Sequence, residues 1–230
     1  MPGYYFDYTY LLVLLGAAIC LFASARVKSV MTKYKKVQNS TGMTGEEAAR
    51  RILQNEGIGY VQVKCLQESE GDHYDPRTRT VNLSYEVFYG SSVTAVAVAA
   101  HECGHAIQHA EEYVPLTIRS TIVPAVNIAS NISWPLILLG IVLSWNPILI
   151  QLGIWAFAFA VLFQFITLPV EFNASNRALT KISENGLMSA WETERGSEVL
   201  TAAAFTYVAA AASSILQLLR LFLLFGRRRR

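Results

Sequence analysis

The chain has 230 residues, of which 53% are hydrophobic and only 16% charged, and its formal net charge at pH 7 is +2. This composition is too apolar for an ordinary water-soluble domain, and residues 120–170 contain no Asp, Glu, Lys, Arg or His. The charge is too small for a nucleic-acid-binding protein, and the basic residues lie beside apolar segments rather than in a stripe with aromatic residues. The sequence therefore predicts an integral membrane protein, with the lipid bilayer as a partner and no nucleic acid.

The first apolar segment covers residues 8–25 and begins among aromatic residues that suit the membrane interface: Tyr4, Tyr5, Phe6, Tyr8 and Tyr10. A cleaved signal peptide is the alternative, because ASA at residues 23–25 resembles a cleavage site. A signal peptide starts with basic residues, however, and the only charge before this segment is Asp7. We therefore predict a transmembrane anchor over residues 1–26. Basic residues follow the anchor directly, and they favour a cytoplasmic position for its C-terminal end and an outside position for the N-terminus. They are Arg26, Lys28, Lys33, Lys35 and Lys36.

Residues 27–118 are predicted to form a cytoplasmic part with both helices and strands. Thr44 followed by Glu47 is a capping-box pattern for a helix that ends at Gly57. Residues 60–66 and 80–83 alternate like strands, with a turn over residues 71–77 between them. A further helix, over about residues 92–110, is expected to begin at Ser91 or Ser92 as its N-cap.

This last helix carries an HExxH motif within VAVAAHECGHAIQ, residues 96–108. His101 and His105 lie one turn apart on one face, so both imidazoles can bind one zinc ion. Glu102 is offset by about 100 degrees, beside the metal, as a general base for a water molecule whose pKa zinc lowers to about 7. Gly104 is expected to leave room for a neighbouring strand, and Cys103 to face away from the metal. The cysteines lack the spacing of a disulfide framework or a thiolate zinc site: Cys20, Cys65 and Cys103.

The uncharged run divides at SWNP, residues 144–147, into two segments over residues 121–143 and 148–169. Each has the roughly 20 residues that cross a bilayer, so residues 119–170 are predicted to form a transmembrane hairpin that returns to the cytoplasm. Residues 171–198 are then predicted to form a cytoplasmic segment.

Residues 199–230 contain an apolar helix, interrupted by Gln217 and Arg220, and a basic tail. Full crossing is one arrangement, but the positive-inside rule favours a partly interfacial helix that keeps Arg227 to Arg230 inside.

Two histidines do not complete a catalytic zinc site, so a third ligand is needed. Three possible donors lie near the end of the same helix: His109, Glu111 and Glu112. They cannot reach the ion, because His109, the nearest of them in the sequence, is already about 12 Å from His101 along the helix axis. Glu171 is the first charge after the hairpin, beside Pro169, which can kink the helix. A carboxylate where a transmembrane helix emerges is a functional candidate. Weaker candidates lie in the turn before the second strand: Asp72 and His73.

Five stretches together carry a resemblance to a known family: DHYDP at 72–76, LS at 83–84, VAAHECGHAIQ at 98–108, EFNAS at 171–175 and LTAAAFTYV at 200–208. They make nearly the whole chain resemble the YugP-type bacterial membrane zinc metallopeptidases. That family is similar in its core to the HtpX-like and CAAX prenyl membrane proteases, in which a glutamate from a later helix joins an HExxH helix.

The resemblance implies a mainly α integral membrane protein, with a zincin-like (gluzincin) core, a small β-sheet and transmembrane helices. It also implies that His101, His105 and Glu171 bind zinc and that Glu102 is the catalytic base. The chain departs from the related proteases at Ser175, one turn after the ligand glutamate, where they carry an acidic residue. A serine hydroxyl there can still hydrogen-bond a ligating histidine.

The sequence thus predicts a zinc endopeptidase that cleaves membrane or unfolded proteins at a cytoplasmic, membrane-proximal site of a bacterial cell membrane. An extended substrate is expected to pair with an edge strand near residues 79–83. Candidate oxyanion donors are Tyr207, His73 and Arg177, with Tyr207 favoured. The alternative is a proteolytically silent zinc-binding scaffold or a subunit of a larger membrane assembly, including a homo-oligomer. Glu102 disfavours the silent scaffold, because structural zinc needs no base.

Overall fold

A computed structural model describes residues 7–67 and 71–226. The protein is mainly helical with one small sheet, and the elements in chain order are α1 (Tyr10–Lys35), α2 (Gly45–Asn55), β1 (Gln62–Cys65), β2 (His73–Asp75), β3 (Thr80–Leu83), α3 (Tyr85–Phe88), α4 (Val93–Ala110), α5 (Val114–Val142), α6 (Pro147–Glu184) and α7 (Ala190–Phe225). The predicted aromatic positions Tyr4, Tyr5 and Phe6 and the sidedness of Arg227 to Arg230 fall outside the described residues.

The described residues form two compact units. The membrane unit contains residues 7–24, 118–168 and 206–226, and the core unit contains residues 25–67, 71–117 and 169–205. Among the described residues, four helices are long and apolar enough to cross a bilayer: α1, α5, α6 and α7. The protein is therefore a multi-pass membrane protein, as predicted. Two of these helices extend beyond the apolar segments predicted at residues 8–25 and 148–169, since α1 continues to Lys35 and α6 continues through Pro169 to Glu184.

Within the membrane unit, the last helix packs against the first. The Arg220 guanidinium lies 4.1 Å from the centre of the Tyr10 ring and 3.5 Å from Asp7 Oδ2. A Cβ atom on Gly16 would lie 2.7 Å from Ser213 Oγ. These contacts align α7 antiparallel to α1. Arg220 is thus paired with residues at the start of α1, and the interfacial position expected from Arg227 to Arg230 stays a prediction.

The hairpin between α5 and α6 has the tight connection that the sequence predicts. Ser144 and Trp145 adopt φ values of 55° and 62°, in the left-handed region that a tight reversal needs. Asn146 Oδ1 accepts hydrogen bonds from the backbone N–H groups of Ile148 at 3.0 Å and Leu149 at 3.3 Å, which caps α6. A Cβ atom on Gly153 would lie 2.7 Å from the Ser133 carbonyl oxygen, so the two helices pack closely.

In the core unit, both predicted helix starts are confirmed. The Thr44 and Glu47 side chains each accept a hydrogen bond from the other residue's backbone N–H, which completes the capping box of α2. Ser92 Oγ accepts a hydrogen bond of 3.2 Å from the backbone N–H of Ala95 and caps α4. Gly57 adopts φ of +70° just beyond α2, as expected for a residue that ends a helix.

The sheet differs from the prediction in two ways. Residues 73–75, predicted as part of a turn, form the strand β2, which pairs antiparallel with β3, while β1 pairs parallel with β3. The strand order is β1-β3-β2. The expected edge strand near residues 79–83 is therefore wrong, because β3 is central and has a neighbour on each side.

The helix α4 is the central element of the core unit. Side chains on almost all of its faces are buried, including Val93, Val96, Ala97, Ala100, Cys103 and Ile107. Small alanine side chains let the neighbouring elements approach this helix closely. The HExxH motif is therefore carried by a helix that cannot shift without disturbing the packing of the unit.

Candidate active site

His101 and His105 on α4 converge with Glu171 on α6. Glu171 Oε2 lies 3.4 Å from His101 Nε2 and 3.7 Å from His105 Nε2, and the two imidazole ring centres are 4.8 Å apart. A tetrahedral zinc ion with bonds of about 2.0–2.1 Å has neighbouring ligand atoms roughly 3.3 Å apart. The two distances to Glu171 are close to this value, and the ligand atoms of all three residues lie within 4.8 Å of one another, so the cluster is compact enough to hold one metal ion.

The glutamate of the cluster is buried and the two histidines are partly exposed, and the charges of the cluster are complementary. Glu171 is only 2% exposed. Burial tends to lower the pKa of His105, but hydrogen bonding to Glu171 and the negative charges of Glu102 and Glu171 outweigh it, so this pKa is raised. Two imidazoles and one carboxylate are a donor set found in catalytic zinc sites, where three protein ligands leave one position for water or substrate. The residues present thus fit zinc by their chemistry as well as their spacing.

Glu102 is adjacent to the cluster without belonging to it. Its side chain is 7% exposed, and its carboxylate is close enough to His105 to act on the pKa of that residue. Within residues 7–67 and 71–226, the group of side chains able to hold a metal here is His101, His105 and Glu171. The predicted position of Glu102 beside a metal stays a prediction.

Gly104 allows α4 and α6 to approach each other. A Cβ atom on Gly104 would lie 2.5 Å from the carbonyl oxygen of Ala174, far inside van der Waals contact. The expected neighbour of this glycine, a strand, is therefore wrong, because a helix that begins in the hydrophobic hairpin occupies the position. The close approach brings Glu171, three residues before Ala174, to the histidine face of α4.

Replacing Gly104 with alanine is expected to lower stability by about 1–3 kcal/mol, because the added methyl group overpacks a backbone contact. Thermal unfolding of the detergent-solubilised protein measures this effect. Gly59→Ala is the matched control, since the nearest atom to its added Cβ would be 3.7 Å away, an ordinary contact. Equal unfolding temperatures for Gly104→Ala and wild type would contradict the close approach of the two helices.

The donors near the end of α4 have other partners, as their distance along the helix predicts. His109 Nδ1 lies 2.8 Å from the hydroxyl of Tyr74 on β2, and burial raises the pKa of Tyr74 to about 12. Glu111 forms an ion pair of 2.7 Å with Arg177, and the hydrogen bond to that guanidinium lowers the pKa of Glu111. Neither His109 nor Glu111 belongs to the candidate metal cluster.

The weaker third-ligand candidates stabilise the sheet region. The Asp72 carboxylate accepts a hydrogen bond of 2.7 Å from the backbone N–H of Ser84. His73 Nδ1 lies 2.9 Å from the Gly71 carbonyl oxygen, and its Nε2 lies 3.3 Å from the side chain of Asn82. Tyr207 is part of α7 in the membrane unit, and its role as an oxyanion donor stays a prediction.

Each histidine of the cluster has a second polar contact through Nδ1. Ser175 Oγ lies 3.2 Å from His101 Nδ1, the kind of contact that the sequence suggested for this serine. Gln108 Oε1 lies 3.0 Å from His105 Nδ1, a contact that sequence reasoning missed. The available signal was an amide side chain three residues after His105 in an otherwise apolar part of the helix.

Cys103 lies inside the motif but packs away from the cluster, as predicted. It is fully buried, and its Sγ atom lies 3.7 Å from the carbonyl oxygen of Ala49 on α2. Burial raises the pKa of this thiol well above its ordinary value. Cys103 is therefore a neutral packing residue.

The fold and the cluster together define a multi-pass membrane protein with a candidate metal site of two histidines and one glutamate. Residues 9–226 match the family described as "Putative neutral zinc metallopeptidase", and the chain belongs to this family. It is also 47% identical over 214 residues to the Bacillus subtilis (strain 168) protein named "Putative membrane protease YugP", covering 93% of this chain and 95% of that protein. No solved structure matches the chain. The resemblance to YugP-type membrane zinc proteases is thus confirmed.

Proposed function

We propose that this protein is a gluzincin-type, zinc-dependent endopeptidase of the bacterial cell membrane. The observation that carries the proposal is the convergence of His101 Nε2 and His105 Nε2 on Glu171 Oε2, at 3.4 and 3.7 Å. A family of zinc metallopeptidases and a relative named as a membrane protease support the same activity. These three residues are the proposed ligands of the ion.

Zinc at this position would supply a Lewis acid that polarises the scissile carbonyl and makes water a better nucleophile. Glu102 is the proposed general base, which takes a proton from the attacking water and passes it to the leaving amine. Its burial strengthens this role, because charges interact more strongly away from bulk water. Tyr207 stays a candidate, from the sequence alone, for the hydrogen-bond donor to the oxyanion that develops on the substrate.

The proposed substrates are membrane proteins or unfolded chains cleaved on the cytoplasmic side, with the N-terminus outside. The basic residues that follow the apolar part of α1 support this orientation, because such residues are retained in the cytoplasm: Arg26, Lys28, Lys33, Lys35 and Lys36. Extended substrate is proposed to pair with β2, which has β3 on one side only in the described sheet. Contact between Tyr74 of β2 and His109 of α4 supports this choice, because it brings that strand to the HExxH helix.

Inverted membrane vesicles containing the protein test both the activity and its sidedness. Unfolded casein added outside such vesicles is expected to be cleaved, and right-side-out vesicles are expected to leave it intact. A zinc chelator such as 1,10-phenanthroline should stop the cleavage, and added zinc should restore it. Stoichiometric zinc without any cleavage would instead support the silent scaffold or assembly subunit.

A further inference from the structure

A chain of hydrogen bonds connects His105 to Arg177, whose side chain can only donate. Arg177 Nε donates to Asn173 Oδ1 at 2.8 Å, and the same oxygen accepts from Gln108 Nε2 at 2.9 Å. Gln108 Nε2 also donates to the Val170 carbonyl oxygen at 2.9 Å. Gln108 Oε1 then faces His105 Nδ1 at 3.0 Å. All of these residues belong to the core unit.

The groups at the ends of this hydrogen-bond chain determine which atom donates and which accepts at each step. A guanidinium has no acceptor, so the Asn173 atom that faces Arg177 must be the oxygen. A backbone carbonyl has no donor, so the Gln108 atom that faces Val170 must be the NH₂ group. Rotating either amide by half a turn would place two donors or two acceptors against each other. The amide oxygen of Gln108 must therefore face His105.

An amide oxygen only accepts hydrogen bonds, so His105 Nδ1 must carry a hydrogen. In neutral imidazole the lone pair is then on Nε2, the atom that lies 3.7 Å from Glu171 Oε2 and faces the candidate metal position. The other histidine has a less restrictive contact. Ser175 approaches His101 Nδ1 with a hydroxyl, which can rotate and either donate or accept.

Burial makes this arrangement rigid. The Gln108 side chain is fully buried, with 0% exposure, so no solvent is available to replace a lost hydrogen bond. A buried amide that turned away from its partners would leave polar atoms unsatisfied, which is costly. Both contacts from Gln108 Nε2 reach α6, the helix that carries Glu171. The same amide thus connects one proposed ligand with the helix of another.

We propose that Gln108 is a positioning residue that holds His105 in the tautomer able to bind zinc through Nε2, and that Arg177 and the Val170 carbonyl set its direction. The inference rests on the proposed zinc site. Groups that orient a ligating histidine typically account for about 10- to 100-fold in metal affinity. Gln108→Met, which keeps the length but removes both polar atoms, is expected to weaken zinc binding by about that factor.

The test measures the zinc dissociation constant of the full chain in detergent, by competition with a chromophoric chelator. Gln108→Glu, which retains an acceptor for His105 Nδ1, is expected to bind zinc more tightly than Gln108→Met. With cobalt(II) as the probe, Gln108→Met should also change the visible absorption spectrum, which reports ligand geometry directly.

A milder variant keeps the test decisive if Gln108→Met does not fold. Asn173 is partly exposed, and Asn173→Ala is expected to weaken zinc binding less than Gln108→Met, because the Val170 carbonyl still holds Gln108. Asn176→Ala is the matched control, on an exposed side chain of the same helix, and should retain the wild-type affinity and cobalt spectrum.

Wild-type zinc affinity in folded Gln108→Met or Asn173→Ala would overturn the positioning role. Equal zinc affinities for Gln108→Glu and Gln108→Met would also overturn it, because the acceptor would then be irrelevant. Failure of the wild type itself to bind zinc would instead overturn the proposed function. Because binding is measured apart from cleavage, the two failures are distinguishable.

Discussion

Glu102→Gln is expected to reduce peptide cleavage by about 10²- to 10⁴-fold, the usual contribution of a general base, while zinc remains bound. Glutamine keeps the size of the side chain but cannot accept the proton of water. The three side chains with metal-ligand spacing, His101, His105 and Glu171, are unchanged in this variant. Cleavage of unfolded casein and zinc content, measured on the same preparation, check both parts of the prediction.

The matched control is Glu112→Gln, the same change at an exposed residue just beyond α4. It should cleave casein at the wild-type rate. Undiminished cleavage by Glu102→Gln would mean that another residue, or a contaminating protease, provides the activity. If Glu102→Gln lost its zinc as well as its cleavage activity, Glu102 would help to hold the metal, contrary to its proposed role.

Glu171→Ala is expected to lose zinc almost entirely. Removing a ligand should cost more than the roughly 10- to 100-fold that is typical of a group that only orients a ligand. Glu171→Gln retains the shape of this buried side chain and separates lost ligation from lost packing, so it should also bind zinc poorly. Zinc per protein after dialysis against a weak chelator measures both variants.

The control for the third ligand is Glu184→Ala. This glutamate is at the end of the same helix, where it forms an exposed ion pair with Lys181, and its loss should leave zinc content unchanged. Stoichiometric zinc in Glu171→Ala would contradict the proposed ligand set. It would also remove the reason for assigning α6 a part in the active site.

Signals confined to a few neighbouring residues predicted the local structure correctly. The capping box at Thr44, the N-cap at Ser92 and the reversal near residues 144–147 each depend on hydrogen bonds or turn conformations within one short segment. The spacing of His101 and His105 depends only on the helical repeat. These features were predictable because the chain needs no distant partner to form them.

Features that depend on distant partners were predicted less well. The strand β2 has only three residues and exists through its pairing with β3, so its sequence resembles a turn. The second hairpin segment was predicted to end at residue 169, but α6 continues through Pro169 to Glu184, because packing against neighbouring helices can compensate for a missing backbone hydrogen bond. The pairing of Arg220 with Asp7 joins residues near opposite ends of the chain, so no local signal suggested it.

The candidate site combines both kinds of information. The glutamate at 171 was predictable as the first charge after an uncharged hairpin, although it is 66 positions beyond His105 in the sequence. The contact between Gln108 and Asn173 spans 65 positions and involves two uncharged side chains, neither of which suggests a metal site by itself. Only the packing of α4 against α6 reveals their connection.

X-ray absorption at the zinc edge of the purified wild-type protein tests the central claim most directly. The proposed site predicts one zinc ion surrounded by nitrogen and oxygen atoms at about 2.0–2.2 Å, with the scattering pattern of two imidazoles. A sulfur atom at about 2.3 Å would contradict it, because a thiolate would then replace a proposed ligand. A protein purified without zinc that also fails to bind added zinc would contradict it equally.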